Sequence, residues 1–128
     1  MSISMKVPLG DAFDKMSILE IKAQNVTDSA KKANIENELV YIQEQLSQYF
    51  DSSELKKLYD SLKEINQALW DIEDSIRLKE KDKSFDQGFI DLARSVYVTN
   101  DKRAFIKKEI NTLLGSEFVE EKIYEKYD

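Results

Sequence analysis

The chain has no cysteine and no histidine, one proline and three glycines in 128 residues. Without cysteine there is no disulfide, no thiolate metal site and no thiol nucleophile, a pattern compatible with the cytoplasm. Without histidine the commonest general base and the commonest zinc ligand are missing. Any metal would have to be a hard cation such as Mg2+ held by carboxylates. Few prolines and glycines mean few breaks in regular structure. With 34% charged residues, the composition favours long helices with solvated outer faces. No apolar run approaches the roughly 20 residues needed to cross a bilayer, and Met1 to Gly10 has no apolar signal core. These absences predict a soluble cytoplasmic protein with no membrane partner. Nucleic acid is not expected as a partner either, because a net charge of -6 repels phosphate.

What is present is helical periodicity. Leu55, Leu58, Leu62, Ile65, Leu69, Ile72 and Ile76 follow one another in alternating steps of three and four, the spacing of a coiled-coil seam. That stretch predicts a central helix about 40 Å long at ~1.5 Å per residue. Ile35, Leu39, Ile42, Leu46 and Tyr49 form a matching seam before it. The turn at Phe50 to Ser53, with Asp51 and Glu54 spaced as a capping box, would join the two as an antiparallel hairpin. Before these, Asp11 is placed to cap a first helix reaching about Val26, with Ala12, Phe13, Met16, Leu19 and Ala23 on its apolar side. Thr27 or Asp28 would cap the second helix. After the mixed-charge run Lys79 to Ser84, Ser84 and Gln87 predict the start of a fourth helix that Gly115 stops after Leu114. A short helix is expected over 116–127. At the other end, Ile3, Met5 and Val7 alternate with polar residues, the period of a strand or extended arm over residues 1–9. The predicted fold is a single all-α domain over 1–128. It is an antiparallel helical bundle of four main helices (10–114) with a long central hairpin and a short N-terminal arm.

No Gly-rich phosphate loop, nucleophile elbow or metal-binding histidine pair is present. The densest mixture of aromatic and charged residues is Leu69 to Arg77. Matching levels across the expected turns puts Trp70 opposite Arg94 and Glu20 beside Asn34. The candidate cluster is therefore Glu20, Trp70, Asp71, Glu73, Asp74, Arg77, Arg94 and Tyr97. As structure it would be an ion-pair network with Trp70 in the core. As a site, Arg77 and Arg94 would hold an anion, or Glu20, Glu73 and Asp74 would hold Mg2+. With two arginines level with the acids, the neutralised network is the reading favoured here, with no metal or other cofactor. Asn100, Arg103, Lys107 and Asn111 make a weak basic stripe, read as a solvated helix face. The fourth helix has its own seam, Phe85, Phe89, Leu92, Val96, Thr99, Arg103, Ile106, Ile110 and Leu113, and Arg103 on it is expected near Asp60 and Glu44.

Four segments carry a resemblance: Asp14 to Lys22, Leu69 to Arg77, Leu92 to Tyr97 with Asn100-Asp101, and Gly115-Ser116 followed by Glu120-Glu121-Lys122. Together they resemble a family of small uncharacterised proteins from bacteria and their phages. The resemblance covers nearly the whole chain and implies no catalytic residue. A second likeness is to the all-α nucleotide pyrophosphohydrolases, which use Mg2+ on paired Glu-x-x-Glu and Glu-x-x-Asp motifs. The chain departs from that pattern, since its nearest match is Asp71-x-x-Asp74. The functional expectation is accordingly a helical interaction module that self-associates or docks on a protein partner, with the Mg2+ enzyme as the alternative. Val40, Tyr41, Tyr59, Ile90, Val98 and Phe105 lie off the seams. With the unpaired arm, they point to a homodimer.

Overall fold

The computed structural model describes residues 1–128. Four helices account for almost all of its regular structure, α1 (Leu9–Asn25), α2 (Ser29–Leu46), α3 (Ser53–Lys81) and α4 (Gln87–Leu114). One 3-10 turn, Ser47–Tyr49, follows α2. Helix makes up 74% of the residues and there is no strand. The all-α bundle expected from periodicity is the fold found. No helix is long and apolar enough to cross a membrane.

Three of the four helix starts follow capping chemistry, at or within two residues of the sequence reading; α1 instead begins at Leu9 behind Pro8 with no side-chain cap, so Asp11 lies in its first turn and does not cap it. Asp28 caps α2 by accepting a 2.9 Å bond from the Lys31 amide. Ser52, not Asp51, caps α3, through its hydroxyl and the Leu55 amide. Asp86, not Ser84, caps α4 through the Phe89 amide. Asp86 also accepts from Lys79 at 3.0 Å, and that bond, ahead of the amide bond, holds its carboxyl below the usual range. Gly115 ends α4 in the left-handed region at φ 61°, ψ 46°, where its lack of Cβ removes the steric cost.

The packing differs from the expected hairpin of α2 and α3. The broad faces are α3 on α4, and α1 on each of α2, α3 and α4. The shortest helix is therefore the central one. The long hairpin of the fold is α3–α4, and α2 lies outside, against α1. Of α2 only Leu46 is buried. The core gathers Phe13 and Met16 of α1 with Leu46, Leu55, Tyr59, Leu62 and Ile110. Phe13, Phe50 and Tyr59 meet edge-to-face, with centroids 5.3 to 6.1 Å apart. Tyr59 is thus a core residue and not a surface apolar one.

The two termini also correct the sequence reading. Residues 116–128 are not helical. Ser116 turns the chain back, accepting from the Leu9 amide and donating to the Phe118 carbonyl. The tail then returns along α4. Glu120 meets Lys107, Glu121 meets Lys108, and Tyr127 donates to Asp101 while stacking on Tyr97 at 5.0 Å. These contacts use side chains that a separate helix would have turned elsewhere. The N-terminal arm is extended but pairs with no strand. Ile3 and Met5 are 81% and 71% exposed.

Candidate functional site

A groove of about 450 Å³ opens where α1 lies across α3 and α4. Two of its lining residues, Asn66 and Arg103, belong to a polar cluster sealed by packing. Asp14 is 5% exposed and Ser17 fully buried on α1, facing Asn66 of α3. Asn66 Nδ2 donates to Asp14 Oδ1 at 2.9 Å and to Ser17 Oγ at 2.7 Å. Ser17 Oγ donates back to the Asp14 carbonyl. From α4, Arg103 Nε donates to Asp14 Oδ1 at 2.8 Å, and its Nη2 donates to Oδ2. This two-pronged pair matches guanidinium to carboxylate geometry. The carboxylate raises the Arg103 pKa further above its already high value, against the opposing effect of burial.

The polar seam continues towards the start of α1. Asn111 Oδ1 accepts from the Gly10 amide at 2.6 Å. Lys107 lies 3.0 Å from Asp11 and 3.4 Å from Glu120. Asp11 Oδ1 is buried without a hydrogen-bond donor; the Lys107 ammonium offsets its charge instead. The stripe Asn100, Arg103, Lys107 and Asn111 is therefore not a solvated face. It is the surface on which α1 lies, with Asn100 alone exposed. Arg103 pairs with Asp14 and not with Asp60 or Glu44, because α4 faces α1 at that level and not α2.

The expected cluster divides in two. Trp70, Glu73, Asp74 and Arg77 line the groove together with Arg103 and Asn100. Trp70 is half-buried and also borders a second cleft beneath the α1–α2 turn, so it is a wall and not core. Arg77 meets Glu73 at 3.2 Å on the exposed rim. The other four members lie elsewhere. Glu20 accepts from Tyr59 at 2.5 Å and from Lys63 at 2.7 Å. Asp71 accepts from Gln67. Arg94 is exposed and unpaired, and Tyr97 stacks on Tyr127. Level matching gave heights along the bundle but not the face each side chain takes. The convergence of Glu20, Glu73 and Asp74 on Mg2+ does not occur, and no group of three or more acidic side chains is placed to hold a metal.

Asp14, Ser17 and Asn66 were not among the candidates read from the sequence. Their signal was there: Gly10, Asp14, Ser17 and Ile21 step by four, three and four, a second stripe on α1 hidden because it is small and polar.

Fold and site define a small helical bundle whose central helix is bound to its neighbours by a buried polar seam, with a groove beside it. Residues 3–127 match a family described as a family of unknown function, DUF6165, and the chain belongs to that family. Neither a curated protein nor a solved structure matches it.

Proposed function

We propose that this chain is a helical interaction module that associates with a second copy of itself. The carrying observation is the amount of surface it leaves uncovered. It exposes 9266 Å², where a folded monomer of 14.9 kDa exposes about 7,000 Å². The difference, roughly 2,200 Å² per chain, comes in part from the extended termini and is large enough to include the area that each partner of a homodimer buries. The excess is apolar in several places. Val40, Tyr41, Ile90, Val98 and Phe105 are 53%, 62%, 46%, 37% and 63% exposed. Val98 and Phe105 are seven apart on α4, so they share one face. Beside them, Ile65 and Ile106 line a cleft of about 630 Å³, which an apolar segment of a second copy would fill.

Phe105→Glu tests the reading. A dimer melts at a temperature that rises with protein concentration, because association stabilises only the folded chain. The native chain is expected to show that rise and the variant to lose it. A melting temperature independent of concentration in the native chain would contradict the reading. Far-UV circular dichroism confirms that the variant is folded.

A further inference from the structure

The groove beside Trp70 is independent of the association surface. On α4, Val96, Asn100 and Arg103 step by four and three, while Val98 and Phe105 project from the opposite side at ~100° per residue. The groove's volume, about 450 Å³, falls within the range of small-molecule sites. Ile18, Ile21, Leu69 and Val96 with the Trp70 ring give it an apolar bed. Most of its charges are already matched. Arg77 is taken by Glu73 and Arg103 by Asp14. That leaves Asp74, exposed and without a partner, as the one free charge of the lining. The groove is therefore net negative and favours a cation. A divalent metal ion does not fit, because one free carboxylate cannot supply the several oxygen ligands it needs.

A second observation lies at the other end of the groove. Asn66 is 5% exposed, and both N–H groups of its amide are committed, to Asp14 and Ser17. The carboxylate can only accept, and Ser17 gives its own proton to the Asp14 carbonyl, so the amide cannot be turned over. The Asn66 oxygen accepts no hydrogen bond within the protein, yet it is not sealed from solvent. Asn66 borders the groove, and the oxygen opens to it. Asn66, Trp70 and Asp74 step by four and four along one face of α3. From Asn66 to Asp74 is about 12 Å along the axis at ~1.5 Å per residue, too far for one group to meet both. The ligand therefore needs a cation at the Asp74 end and a hydrogen-bond donor at the Asn66 end. That donor is neutral, because Arg103 beside Asn66 repels a second cation. Trp70 stands between the two ends, and tryptophan is the side chain whose ring best attracts a cation. We propose that this groove binds a small hydroxyaryl amine in its ammonium form, the ammonium against Asp74 and Trp70 and the hydroxyl donating to Asn66 Oδ1.

The chain has one tryptophan, so a single indole N–H resonance in the proton–nitrogen NMR spectrum reports on this groove. Trp70 also borders the cleft beneath the α1–α2 turn, but the charged residues there are Lys22 and Lys31, which repel a cation. The test is a titration of the full chain with tyramine at constant ionic strength, through the millimolar range where a fragment of this size binds. The expected result is a saturable shift of that resonance. Phenethylamine, which lacks the hydroxyl, should bind about five-fold more weakly, because Asn66 Oδ1 stays unpaired. The neutral alcohol tyrosol, which lacks the ammonium, should bind about ten-fold more weakly. Asn66 also holds the fold, so the diagnostic variant is Asp74→Asn at an exposed position, checked for unchanged circular dichroism. It removes the one free charge with little change of shape and should weaken tyramine about three-fold. A shift that does not saturate would overturn the proposal. So would equal binding of either analogue, or undiminished binding to Asp74→Asn.

Discussion

Removing the guanidinium of Arg103 would leave the Asp14 carboxylate 5% exposed with only Asn66 and solvent to replace it. An uncompensated buried charge costs more than the pair gives, so Arg103→Ala should lose about 3 kcal/mol of stability. Asp14→Ala should lose a similar amount. In chemical denaturation the double variant should lose much less than the two single losses added, because one interaction serves both. A loss below about 0.5 kcal/mol, the surface range, would mean that Arg103 lies in solvent. Tyr59 makes a second residue-scale prediction. Burial first, then the bond to Glu20, raises its phenol well above the ordinary 10.0. A raised folded pKa contributes stability that is complete below the unfolded value and lost as pH climbs past it. Stability should therefore fall from about pH 10 upward, and Tyr59→Phe should flatten that fall. An identical alkaline limb in Tyr59→Phe would contradict this.

At the scale of the element, α1 has no side-chain cap of its own, since Pro8 occupies that position. Its first amides are satisfied from outside, Leu9 by Ser116 and Gly10 by Asn111. The start of α1 is therefore tied to the end of α4. Gly10 permits this close approach: a Cβ there would collide with the Lys107 carbonyl oxygen, which is held in its helix. Gly10→Ala should cost about 1–3 kcal/mol by overpacking, measured by thermal or chemical denaturation. A gain in stability, as expected of Gly→Ala in an unconstrained helix, would contradict the packing. The same element marks how far the sequence could be read. The seams of α3 and α4 and the Gly115 stop were legible, because leucine and isoleucine at helical spacing have one physical explanation. The role of α1 was not. Its second buried stripe is Gly10, Asp14, Ser17 and Ile21, and polar residues on a helix ordinarily face water. Only their partners, Arg103, Asn66 and Asn111, explain their burial. Of the candidate cluster, Trp70, Glu73, Asp74 and Arg77 share the groove because they lie within two turns of α3. Glu20, Arg94 and Tyr97 needed knowledge of which way α1 and α4 are turned. The tail expected as helix carries Phe118, Val119, Ile123 and Tyr124, but a helix that short is marginal in water, and the tail instead bonds along α4 through Glu120, Glu121 and Tyr127.

At the scale of the whole molecule, few residues are fully covered. Fourteen of 128 are buried, and both termini run extended over the surface. Such a chain keeps a marginal core, because it recovers little apolar area against the conformational entropy it gives up. Under the proposed self-association, covering its exposed apolar strip would add to that stability. The arm at Ile3, Met5 and Val7, the α4 strip at Val98 and Phe105, and the α2 pair Val40 and Tyr41 are the surfaces available. The most direct test is the mass of the intact chain in solution, by light scattering at micromolar concentration. Association predicts a species of about twice 14.9 kDa that dissociates on dilution. A single species of 14.9 kDa throughout that range would contradict it.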